Sequence, residues 1–117
     1  MSDERRRQIL SSLVEVGPDI EAVYAELVTL PWDSPAPLVT LRARHVASVL
    51  RRFLNGELDE VSVERWANAI ESREDLAFDS ANEESLRNIV FTLANPELSD
   101  QLTEQAAREY INTLSPP

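Results

Sequence analysis

The sequence predicts an all-α fold, an antiparallel helical bundle of about six helices that forms a single helical domain over residues 1–117. Three observations predict it. Apolar residues recur at helical spacing along almost the whole chain. The β-branched and aromatic runs expected of strands are missing. Only two glycines occur in 117 residues.

The first helix is expected from about Asp3 to Val16, with Ile9, Leu10, Leu13 and Val14 as its apolar stripe and Gly17-Pro18 as its stop. The second begins near Pro18. Asp19 and Glu21 lie in its first turn, where the helix dipole favours acids, and Ile20, Val23, Tyr24 and Leu27 form its stripe. Prolines at 31, 35 and 37 make the next segment a stiff loop, with Trp32 expected to tuck that loop onto the core.

The third helix is expected from about Leu38 to Leu54, closed by Asn55-Gly56. Its inner face is Val46, Val49, Leu50 and Phe53, with His45 at the edge of that face. Arg42 falls near the middle of the same face at ~100° per residue. An inward arginine requires an acid from another helix, unless its long stem reaches water near the helix start.

The fourth helix is expected to be capped by Ser62, with Val61 and Trp66 spaced as a hydrophobic staple and Val63, Trp66, Ala67 and Ile70 buried. It decays over Ser72-Arg73-Glu74-Asp75. The fifth starts near Ser80, where Ser80 and Glu83 have capping-box spacing, and buries Leu86, Ile89, Val90 and Leu93 before Asn95-Pro96. The sixth starts at Thr103 and turns Ala107, Tyr110, Ile111 and Leu114 inward, and Ser115-Pro116-Pro117 forms a frayed tail.

Composition narrows the function classes. The chain has no cysteine, so neither a disulfide framework nor a thiolate metal site is available, and a reducing, cytoplasmic setting is expected. MSDERRRQIL lacks an apolar stretch after its arginines, so a secretory leader is not expected, and no apolar run approaches the ~20 residues of a membrane span.

The net charge is −10, and all eleven basic residues are arginine. Up to Gly56 seven acids face seven arginines; beyond it fourteen acids face four. A field of one sign attracts cations or basic proteins and argues against nucleic acid, whose phosphates need basic surface.

Catalytic candidates are few. His45 is the only imidazole available to activate a serine, and it sits beside an apolar face, the usual place of a structural histidine. Gly17 and Gly56 stand apart, so no glycine-rich loop cradles phosphate. Paired carboxylates can cleave glycosides or hold divalent metal, but no loop has the ligand spacing of a calcium hand. No catalytic residue, metal site or cofactor is therefore assigned, and an enzyme is not expected.

The acids past Gly56 are the more informative feature. Glu64, Asn68, Glu71 and Asp75 fall within about 60° of one another on a continuous helix. Glu57, Asp59 and Glu60 precede them, and Asp79, Glu83 and Glu84 open the next helix. Were the fourth and fifth helices neighbours, these groups would share one negative surface, or a solvated face that confers solubility alone.

The segment Arg52-Phe53-Leu54-Asn55-Gly56-Glu57-Leu58, followed by Val63-Glu64-Arg65-Trp66, resembles a pattern in small bacterial immunity proteins grouped with colicin D immunity. The resemblance covers about residues 45–75. It implies an acidic helical bundle that binds a basic nuclease toxin and blocks its active site with carboxylates. On that reading Glu57, Asp59, Glu60, Glu64, Asn68, Glu71 and Asp75 form the partner-binding surface. The alternative is a helical adaptor or regulatory subunit that meets its partner through a hydrophobic groove lined by Trp32, Trp66 or Tyr110.

Overall fold

The computed structural model describes residues 3–71, 73–98 and 101–114. Six helices carry the fold: α1 (Asp3–Glu15), α2 (Ile20–Leu27), α3 (Ala43–Leu54), α4 (Glu60–Ile70), α5 (Glu83–Ala94) and α6 (Glu104–Leu114). The helical expectation holds, with one addition. Two three-residue strands, β1 (Val39–Leu41) and β2 (Leu76–Phe78), pair in parallel, Val39 opposite Leu76 and Leu41 opposite Phe78.

The strands correct the expected start of the third helix. Val39 and Thr40 are β-branched and follow Pro37, a context that favours extended backbone. The ladder opens where the Leu38 amide donates to the Asp75 carbonyl at 2.8 Å. Helix α3 therefore begins only at Ala43, with Arg42 as its extended N-cap residue.

Arg42 is accordingly not inward. Its side chain is exposed and donates to Asp79, 3.2 Å away, in the loop after β2. An acid from elsewhere in the fold does meet it, but at the surface and from a loop.

Most of the expected inner faces are buried. Leu10, Leu13, Val46, Val49, Leu50, Val63, Trp66, Ile70, Leu86 and Val90 form one cluster with Leu41 of β1. Trp66 lies at its centre, 1 % exposed, and its Nε1–H donates to the Leu13 carbonyl at 2.8 Å. The same carbonyl also accepts the Val16 amide at 3.2 Å, so the indole shares an acceptor at the C-terminal end of α1. In the last helix Ala107 and Leu114 are buried, while Tyr110 and Ile111 pack half-buried against the core.

The helix ends differ in detail from expectation. The chain leaves α1 through Val16 at φ 49°, one residue before the glycine expected to make that turn. Asn55-Gly56 ends α3 as expected, with Gly56 at φ 81° in the left-handed region. Asp59, rather than Ser62, caps α4 by accepting the Ser62 amide at 2.8 Å. Val61 is then 72 % exposed and makes no staple. Asn82, rather than Ser80, precedes α5. Thr103 accepts the Ala106 amide, the cap expected for α6. The tail at 115–117 lies outside the described residues.

Helix α4 packs on α5, α3 on α6, and α1 on α2. The fourth and fifth helices are thus neighbours.

Candidate partner-binding surfaces

The carboxylates past Gly56 do not form one wall. Asp75 is the clearest correction. Helix α4 ends at Ile70, so the helical angle that placed Asp75 beside Glu64 does not apply. The chain instead turns toward β2 and carries Asp75 inside, 0 % exposed.

Two guanidinium groups hold it there. Arg73 Nε donates to Oδ1 at 2.9 Å and its Nη2 to Oδ2 at 3.0 Å, while Arg6 Nε from α1 donates to Oδ2 at 2.9 Å. Arg73 is the buried arginine of this fold, its side chain 2 % exposed. Ions out of water need close pairing and full hydrogen bonding, and this cluster has both.

The other six residues divide. Glu57 is paired with Arg52 at 3.2 Å. Asp59 caps its own helix, and the Ser62 amide beside it lowers its pKa. Glu71 accepts from Asn95 Nδ2 at 3.1 Å, joining the ends of α4 and α5. Glu60 and Glu64 carry no ion pair among the described residues and flank a small cleft with Val63, Thr92, Leu93 and Pro96. Asn68 faces elsewhere, into a groove beside α2. The acids at 79, 83 and 84 sit at the opposite end of α5 from that cleft, about ten residues or ~15 Å along the helix. Asp79 is bonded to Arg42 and Glu83 to Arg87.

The groove beside α2 is the larger opening, about 670 Å³. Tyr24, Ala25, Val28 and Leu30 form one side, Ala69 and Asn68 of α4 the other, and Trp32 an end. Val28 is 85 % exposed and Trp32 50 % exposed, so Trp32 does not tuck into the core as expected.

The buried ion cluster explains why the ring stays outside. Arg6 Nη2 donates to the carbonyls of Pro31, at 3.1 Å, and Asp33, at 2.9 Å; Arg73 Nη2 donates to the same Pro31 carbonyl at 3.2 Å. The Glu74 amide donates to the Trp32 carbonyl at 2.9 Å. Arg73 also lies over the Trp32 ring, 4.9 Å from its centroid, a cation–π contact. The stiff loop is thereby clamped on both sides of Trp32.

Arg65 stacks on Tyr24 across the same groove at 4.2 Å and bonds to Glu21 at 2.7 Å. Burial pushes the Tyr24 phenol up, Arg65 opposing and Glu21 adding to the shift.

Of the three aromatic residues named for a hydrophobic groove, Trp32 lines the groove beside α2, Trp66 is interior, and Tyr110 borders the small acidic cleft. Sequence reasoning missed Arg6 and Arg73. No local pattern pointed to them, because the Arg73–Asp75 pair is made in the turn before β2 and Arg6 reaches it from α1.

His45 is buried on α3 as a fully bonded group, Nδ1 accepting from the Arg42 amide at 2.8 Å and Nε2 meeting Glu15 at 2.8 Å. Among the described residues no group of three His, Cys, Asp or Glu side chains is placed to hold a metal ion, and no helix is long and apolar enough to cross a membrane. No family model, curated protein or solved structure matches the chain.

Proposed function

We propose that the chain is a binding protein that captures an apolar segment of a protein partner in the groove between α2 and α4. One observation carries this reading: an indole half in water, clamped in position by a buried ion cluster. Rigid, amphipathic aromatics give large contact area at small entropic cost and dominate many interfaces. Tyr24, Val28 and Leu30 extend the apolar surface beyond the ring.

A second reading is an immunity-type protein that blocks a basic, nuclease-type toxin with its acidic face. Glu60 and Glu64, without ion pairs among the described residues and at the N-terminal half of α4, favour it, with Glu57 and Asp59 exposed nearby. Steering by such a face speeds encounter and weakens with salt.

Affinity capture from host-cell lysate separates the two. The groove reading expects a partner that survives 0.5 M salt, is lost with Trp32→Ala and is kept with Glu60→Lys/Glu64→Lys. The acidic reading expects the reverse on all three counts. A partner insensitive to both variants overturns both readings.

A further inference from the structure

We propose that the junction between β1 and α3 is a proton-operated latch: one proton taken from solvent at Nδ1 of His45 removes the acceptor that starts α3 and frees its first turn together with the Arg42–Asp79 bridge. The geometry sets the neutral tautomer. Nδ1 lies 2.8 Å from the backbone nitrogen of Arg42, which can only donate, so Nδ1 is the bare nitrogen. Nε2 then holds the ring's proton and donates it to Glu15 at 2.8 Å.

Both ring nitrogens are therefore committed while the imidazole is neutral. An imidazolium keeps the Glu15 bond but sets N–H against N–H at Nδ1. The amide of Arg42 is then left in a part-buried place without its acceptor, a loss that folded proteins avoid.

Charges around the ring come from several elements. Glu15 approaches from α1, and Arg44 of α3 shares it at 2.9 Å. Arg42 is held by Asp79 from the loop after β2. On α4, Arg65 is held by Glu21, and Glu60 and Glu64 open on the cleft toward α5. On α6, Glu104 pairs with Arg108, and Glu109 is exposed.

Burial pushes the His45 pKa down; the bond to Glu15 opposes this and the charges of Arg44 and Arg42 add to it, leaving the value below that of a free histidine. The latch is then fully closed above about pH 6.5, the ordinary histidine value, and its contribution is lost as pH falls through the lower folded-state value.

The test is NMR of the whole chain from pH 7.5 to 5.0, with His45→Gln as the comparison. Glutamine at this helix position can accept the Arg42 amide without titrating. The expected result is a neutral ring protonated at Nε2. Hydrogen-exchange protection of the Arg42 amide should fall by about tenfold for each pH unit below the ring's own titration midpoint, while that of Leu50 holds. In His45→Gln the Arg42 protection should change by less than about twofold. A proton on Nδ1 at neutral pH, or Arg42 protection that is constant while the ring titrates, overturns the latch. Should the variant not fold, the tautomer and the exchange in the unaltered chain decide by themselves.

Discussion

The two tryptophans mark regions held together by opposite means. Around Trp66 the neighbours are aliphatic, and one bond to the Leu13 carbonyl settles the indole N–H. Around Trp32 the fixing groups are ions, Asp75 between Arg6 and Arg73, and the ring is left half in water. Apolar packing rewards burial of a ring; a clamp of charged groups fixes the backbone beside a ring and keeps it available. The first arrangement makes the fold and the second shapes a surface.

This contrast can be broken by experiment. Trp66→Ala is expected to have the largest effect, a loss of about 3–5 kcal/mol in urea unfolding, from the cavity left at a fully buried indole. Asp75→Ala leaves the guanidinium of Arg73 buried without its partner and is expected to cost about 3–4 kcal/mol. It should also release the loop, seen as faster depolarisation of Trp32 fluorescence in a Trp66→Phe background. A rigid Trp32 in that variant would show that the ion cluster does not position it.

Trp32→Ala should cost less than either of these, about 1–3 kcal/mol, because only about half of the residue is buried. Acrylamide sharpens the comparison without large perturbation. In the unaltered chain it should quench one tryptophan population readily and the other poorly, and Trp32→Phe should abolish the readily quenched population. The smallest effect concerns Glu15. Burial raises its pKa, but the bonds from His45 and Arg44 outweigh this and lower it. Glu15 thus stabilises the fold above its unfolded value near pH 4.3, and that share is lost as the pH falls through the folded value. Glu15→Gln should flatten the pH dependence of urea stability below that point.

Sequence periodicity made the interior legible. The stripes of α1, α3, α4 and α5 were correctly placed because a helix repeats its buried face every three or four residues and so states it several times. The strands were not legible, since three residues give no repeat to count and Val39-Thr40-Leu41 also extends the pattern of α3 backward. That single misplacement turned Arg42 inward. A similar one, running α4 on past Ile70, put Asp75 on the acidic face. Angular arguments hold only while the helix continues. The pairing of arginines from the first half with acids of the second, as in Arg6–Asp75, Arg42–Asp79 and Arg52–Glu57, depends on tertiary approach or turn geometry that no local pattern encodes.

The parallel pairing of β1 with β2 has a consequence for how the molecule can be divided. Everything from Leu38 to Asp79 forms a closed excursion, leaving and rejoining the same ladder with α3 and α4 between. A cut in the exposed turn at Gly56 would leave each fragment holding one strand, with the ladder and the Trp66–Leu13 bond shared between the two pieces. On this geometry a chain nicked there is expected to hold together as a non-covalent pair through the β1–β2 ladder and the α3–α6 packing.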